Sequence, residues 1–319
     1  MSDALVSPPV AAVAGAASLV LLGTAIRRVR KRPDDDRIVP LMGTMGAFVF
    51  AAQLINFAIP GTGSSGHIIG GILLSALLGP WAGLLTLASV LLLQCLLFAD
   101  GGLLALGCNL LNMAVLSCLV AYPLAFRPLV GDGASPGRIF AASLLASAAG
   151  LTLGALAVTL ETEASGITAL PFGRFLLFML PIHLAIGLCE GAATGAVLCA
   201  VRRYRPELLR FRSGRQKQGR RRGRTLAGFA AVALLLGGIF SWIASSQPDG
   251  LEWSLRQLTG TTDLETPAGT VHRTAAALQE KTAALPDYDT SLAGLIGCGT
   301  MLLVAWGGSR LLRPRNREE

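Results

Sequence analysis

The sequence predicts an all-α polytopic membrane protein: a seven-helix bundle followed by a two-helix module with an external loop. Three observations predict it. Hydrophobic residues make up 52% of the 319 and charged residues only 14%, against roughly 25% charged in soluble domains. The charges are clustered and leave long uncharged runs between them, the signature of repeated membrane crossing. Glycine and alanine are abundant, as where membrane helices pack closely through small side chains.

The first apolar run, 10–26, ends in Arg27, Arg28, Arg30, Lys31 and Arg32. Such a cluster marks the cytoplasmic side and places the N-terminus outside. The second run, 39–59, returns outward, so loop 60–66 and the chain start are predicted on the same external side. The third run, about 64–79, is stopped by Gly79-Pro80. Its length is roughly 24 Å at 1.5 Å per residue, short of a core about 30 Å thick. A helix this short is tolerable where the preceding loop dips into protein or a polar cavity. Ser64 or Ser65 is expected to cap it, with His67 in its first turn.

Spans at 81–98, 103–126, 139–160 and 175–201 complete the seven. The segment 202–224 carries eleven Lys/Arg against Glu207. It reads as a solvated cytoplasmic linker, with contact to anionic lipid headgroups or a partner as the sharper alternative. A span at 225–246 leads to an external loop, 247–290, with seven Asp/Glu against three Lys/Arg. The span 291–311 returns to a cytoplasmic C-terminus. The predicted units are residues 1–201, the linker 202–224, and 225–319. No internal repeat is evident. The expected location is the plasma membrane, crossed several times.

The net charge of +8 lies mostly in short loops beside apolar runs, so membrane lipid rather than nucleic acid is the expected partner. The six cysteines sit in apolar runs without CxxC spacing and read as small buried hydrophobes. The apolar run at the start lacks a basic n-region, so no cleaved signal peptide is expected.

His67, at the mouth of a glycine-lined run, is the first candidate ligand. Ionisable groups in membrane segments are costly and usually functional, and imidazole suits nickel, cobalt, zinc and copper. A helix-capping histidine is the open alternative. Gln53 and Asn56 share a helix face, as do Asn109 and Asn112. They either bound a polar cavity under His67 or serve as packing glue. His183 and Glu190, seven apart in PIHLAIGLCEG, share a face about 10 Å apart. They read as a coupling or proton-relay pair, an intramembrane hydrolase pair, or a structural pair. No GxxxxGK[ST], GxSxG or HExxH pattern is present, so no P-loop ATP hydrolysis is expected and a non-catalytic role is preferred.

The run GAFVFAAQLINFAIPGTGSSGHIIGGILLSALLGPWAGLL, then FADGGLLALGCNLLNMA and PIHLAIGLCEG, closely resembles the CbiM/NikM family over residues 1 to 201. These are substrate-binding membrane components of energy-coupling-factor (ECF) cobalt and nickel importers. The stretch SSQPDGLEWSLRQL, with Pro248, Asp249, Gly250, Leu251 and Glu252, resembles the NikN-like PDGLE domain often fused to them. The resemblance implies capture of Ni²⁺ or Co²⁺ from outside, with no permanently bound cofactor. It implies partners too: an ECF transmembrane coupling protein and ATP-binding subunits.

The resemblance also implies a square-planar nitrogen set. It comprises the terminal amine, the backbone nitrogen and imidazole of a second-position histidine, and a histidine matching His67. Here the chain opens Met1-Ser2-Asp3-Ala4, without the Met-His pair but with the rest of the family opening. The expectation is a start assigned two residues late. As written, the candidate metal ligands are His67 with nitrogens of Met1 and Ser2. The competing function is a self-contained proton-coupled metal transporter using His183 and Glu190; the absence of an inverted repeat weighs against it.

Overall fold

Helices form on the apolar runs and are bounded by proline, glycine and charge. The structure, a computed structural model, describes residues 1–31, 38–131, 133–211, 222–238, 245–286 and 293–311. α1 (Pro8–Arg30) has proline in its first turn and Arg27, Arg28 and Arg30 in its last, cations at the negative end of the helix dipole. It is followed by α2 (Ile38–Gln53), β1 (Phe57–Ile59), β2 (Ser64–Gly66), α3 (Gly71–Leu78) and α4 (Pro80–Phe98). Next come α5 (Leu106–Phe126), α6 (Pro136–Ser165) and α7 (Phe172–Tyr204). α8 (Arg222–Gly238), α9 (Gly250–Thr259), α10 (Thr270–Thr282) and α11 (Ala293–Leu311) complete the order. Five helices, α1, α4, α5, α6 and α7, are long and apolar enough to cross a membrane. α2 and the apolar parts of α8 and α11 are shorter.

The third run departs from expectation. α2 ends at Gln53 rather than near residue 59, and Phe57–Ile59 pairs antiparallel with Ser64–Gly66. Pro60 opens the connecting turn, and Gly61 and Gly63 adopt φ of +77° and +74° there, a region only glycine enters freely. Ser64 and Ser65 are therefore strand residues, not helix caps. α3 starts only at Gly71, so His67 lies in the irregular segment before the helix rather than in its first turn. Its stop at Gly79-Pro80 is as expected: Gly79 has φ of +86° and Pro80 opens α4. The expected external loop holds two helices of its own, α9 and α10.

Small residues set the packing of the bundle. Gly187, Gly191 and Gly195 recur every four residues on α7 and lie against α6. A Cβ at Gly187 would stand 2.7 Å from Ala148 Cα, and one at Gly191 2.6 Å from Leu144 Cα. The two longest helices thus touch backbone to backbone, where dispersion and close approach replace a hydrophobic driving force.

The second unit packs back onto the first. α8 and α11 flank α2: the Phe48 and Phe229 rings meet edge-on at 5.7 Å, and Cys298 Sγ lies 3.5 Å from the Ala47 carbonyl. The segment expected as solvated linker begins inside the bundle. Residues 202–204 extend α7, Leu208, Leu209 and Phe211 are buried, and Arg210 N–H donates to the Ala76 carbonyl at 2.9 Å. Residues 212–221 of that linker lie outside the described residues. All six cysteines are free; Cys95, Cys108, Cys118 and Cys298 are buried as expected, whereas Cys199 is half-buried and Cys189 exposed on α7.

The ends of the bundle differ in charge. The last turns of α1 and α7 carry Arg27, Arg28, Arg30, Arg202 and Arg203, and Arg28 stacks 4.6 Å above Trp81 at the start of α4. The opposite end carries the chain start, the hairpin, α9 and α10.

Candidate metal site

The first seven residues are pinned rather than trailing. The Met1 carbonyl accepts from Gly102 N–H and from Asn109 Nδ2, both at 3.1 Å. Asp3 Oδ1 accepts from Ala105 N–H at 2.9 Å, and the short turn Asp3–Leu5 buries Leu5 and Val6 completely. His272, on α10, donates through Nε2 to the Val6 carbonyl at 3.0 Å. Such multiple anchoring offsets the entropy of ordering a terminus.

His67 is held by the hairpin before it and by two buried side chains after it. Gln53 Nε2 donates to the Ile69 carbonyl at 3.0 Å. Glu190 accepts from Ile69 N–H at 2.9 Å and from Gly70 N–H at 3.1 Å. The Gly66 backbone rests on Ile186 of α7.

Met1, Ser2, Gln53, Asn56 and His67 line one cavity of about 830 Å³, together with Asp3, Asp100, Asp249, Glu252 and Asp263. No Lys or Arg among the described residues lines it. A chamber whose charged side chains are mainly acidic, behind low-dielectric walls, concentrates cations. A smaller cavity of about 150 Å³ also touches Met1 and His67, and adds Asn109, Asn112 and His183.

The polar pairs divide their labour. Asn109 anchors the chain start, whereas Asn112 donates to Glu161 on α6 at 2.6 Å. Gln53 Oε1 and Asn112 Oδ1 are buried without a hydrogen-bond partner among the described residues. The backbone carbonyl of Asn56 accepts from Ser245 N–H at 2.8 Å. No hydrogen bond among the described residues joins His183 to Glu190. His183 Nδ1 donates to the Met179 carbonyl at 2.8 Å, and the ring lies against Gly250, while Glu190 is spent on the His67 segment.

The acidic residues of the external loop were not singled out from sequence as site residues, and here the PDGLE motif supplies a signal. The Pro248 carbonyl accepts from Ser65 N–H at 2.7 Å, and the Gln247 carbonyl from Ser65 Oγ at 2.7 Å. Asp249 caps α9 with both halves of a capping box closed by Glu252, the reciprocal D-x-x-E pattern that stabilises helix starts. A Cβ at Gly250 would stand 2.8 Å from His183 Cε1 and 2.9 Å from Ile186 Cδ1, so a side chain there would have to displace one of these two. Trp253 Nε1 donates to the Thr62 carbonyl at 2.9 Å. Burial first, then the charge of Asp249, pushes the Glu252 carboxyl above its ordinary range.

Among the described residues no three His, Cys, Asp or Glu side chains converge on one point. The Met1 terminus, main-chain groups and the His67 imidazole stand on the same cavity as further potential donors. Such a set suits borderline divalent ions.

Apolar helices closed around an acid-lined chamber define a polytopic membrane protein with a cation-facing cavity. Residues 1–208 match the family described as the cobalt uptake substrate-specific transmembrane region, CbiM, and residues 223–314 match the PDGLE domain. The chain belongs to the CbiM family and carries a PDGLE domain behind it. It is 33% identical over 248 residues to the fused nickel transport protein NikMN of Rhodobacter capsulatus, covering 73% of this chain and 70% of the relative. It is 31% identical over 196 residues to the cobalt transport protein CbiM of Sorangium cellulosum, covering 61% of this chain and 87% of the relative. A crystal structure of a transition metal transporter superposes with a TM-score of 0.55 at 30% identity, over 64% of this chain and 92% of that chain.

Proposed function

We propose that this chain is the substrate-capturing membrane component of an energy-coupling-factor importer for Ni²⁺ or Co²⁺. The metal enters from the acidic end, which faces outward, and is caught between nitrogens of the chain start and His67. The observation that supports this most directly is that Met1 and His67, remote in sequence, line the same cavity. The basic ends of α1 and α7 then face the cytoplasm. ATP hydrolysis belongs to separate ATP-binding subunits, joined through a membrane coupling protein. Residues 1–201 form the capture unit, and the PDGLE unit from 225 onward covers its mouth. That His183 and Glu190 are each bonded elsewhere favours this reading over a proton-relay transporter.

Two measurements test it. Ni²⁺ and Co²⁺ binding to the purified chain is measured by equilibrium dialysis with the wild type and His67→Ala. Losing a direct ligand is expected to lower affinity by more than about 100-fold, since even outer partners of ligands are worth up to that much. Retained affinity removes His67 from the site. Metal uptake by cells with and without the ATP-binding subunits then tests coupling. Uptake unchanged without them contradicts an ATP-driven importer.

A further inference from the structure

We propose that Glu190 is the positioning residue that sets the place of His67, and that α7 is thereby the lever acting on the metal site. The inference rests on the reading of His67 as a metal ligand. Glu190 is 1% exposed and makes no ion pair among the described residues. A carboxylate in that setting is costly unless hydrogen bonds replace its water. Leucine would fill the space without that cost. What the carboxylate alone supplies is acceptance of two N–H groups by two oxygens, Oε2 from Ile69 and Oε1 from Gly70.

Only one of these N–H groups belongs to the start of α3. The helix begins at Gly71, with Gly70 as its N-cap, and its first bond runs from Leu74 N–H to the Gly70 carbonyl. Gly70 N–H is thus one of the donors that a helix start leaves unpaired, whereas Ile69 N–H lies before the helix. Glu190 therefore caps α3 and, through Ile69, also restrains the irregular segment that joins His67 to the helix. Gln53 holds the same stretch from the other side through the Ile69 carbonyl.

α7 touches both flanks of His67. His183, Ile186 and Glu190 lie on one face, at the i, i+3 and i+7 spacing of a helix. In that order they meet Gly250, Gly66, and the Ile69–Gly70 pair. A displacement of α7 carries Ile186 and Glu190 together, and so moves the backbone before and after the ligand. α7 then runs through the bundle to Arg202 and Arg203 at the basic end.

The test uses the full chain in detergent, loaded with Ni²⁺ alone. The ligand-field band of bound nickel and its release rate into excess chelator are measured for wild type, Glu190→Gln, Gln53→Leu and the double variant. Glu190→Gln is expected to shift the band and to speed release about tenfold, the scale of one charged hydrogen bond. Gln53→Leu is expected to speed it about threefold, the scale of a neutral one. The double variant is expected to fall short of the product, because both groups hold one peptide. Wild-type band and release in Glu190→Gln overturns the proposal, as does a double variant equal to the product. If Glu190→Gln fails to fold, Gln53→Leu decides: a shifted band supports positioning and an unshifted one overturns it. His67→Ala separates the two levels. If it keeps wild-type nickel binding, the reading of His67 itself fails. If it loses nickel while Glu190→Gln behaves as wild type, only the positioning proposal fails.

Discussion

The His67 segment is gripped from two sides by different chemistry. From within the bundle, a buried carboxylate and a buried amide hold residues 69 and 70. From the PDGLE unit, main-chain carbonyls of Gln247 and Pro248 hold Ser65, and Trp253 holds Thr62. The inner grip uses buried side chains, which are costly to leave unpaired if the segment leaves. The outer grip uses groups that water satisfies almost as well, so its release costs little. The difference makes the contacts from α7 and α2 the firmer hold on the His67 segment and those from the PDGLE unit the more easily released.

Gly250→Leu is the sharpest way to break the outer grip. The added side chain meets His183 and Ile186, an overpacking worth typically 1–3 kcal/mol. Amide exchange in residues 245–259 is expected to accelerate by one to two orders of magnitude, and metal exchange with it, while the wild-type band of bound nickel persists. A changed band would mean that the cover also shapes the ligand set. Asp249→Ala removes the cap and opens the capping box, at about 1 kcal/mol. It should give the same pattern more weakly, visible as loss of α9 helicity by exchange. Trp253→Phe keeps the ring on Phe178 and removes only the bond to Thr62, for about 1 kcal/mol or less. An effect of Trp253→Phe larger than that of Gly250→Leu would relocate the latch from the motif to the hairpin turn.

Acid separates the two regions by sign. The Glu252 carboxyl is raised in the folded chain by burial and by Asp249. Its contribution to docking is full below the unfolded carboxylate value and is lost as pH rises through the folded one. Exchange in α9 should therefore slow as pH falls through the range just above ordinary carboxylates. Metal binding should weaken over the same range, since nitrogen ligands must shed protons to bind. Glu252→Gln should abolish the first trend and leave the second; both trends vanishing together would tie Glu252 to the metal site itself.

Much of this frame was legible in the sequence, and the failures have physical reasons. Arg27 to Arg32 placed the chain start and His67 on one side, and the structure puts Met1 and His67 on one cavity. The hairpin was missed because Ser64 and Ser65 before an apolar run read equally as helix caps, and two positive-φ glycines decide otherwise. Seven-residue spacing correctly put His183 and Glu190 on one face of α7. It carried no information on their partners, which lie in segments distant along the chain. For the same reason the contact of Ser65 with Pro248, 183 residues apart, was invisible. Composition described the loop 247–290 as acidic, but not that residues of it between Gln247 and Gln279 line the cavity.

In the proposed site the metal is held by the His67 imidazole and chain-start nitrogen. X-ray absorption at the nickel edge, on the loaded full chain and on His67→Ala, tests it most directly. The account predicts a nitrogen-dominated shell with imidazole scattering in the wild type, and loss of that scattering in the variant. An oxygen-dominated shell, or a spectrum that His67→Ala leaves unchanged, would contradict it.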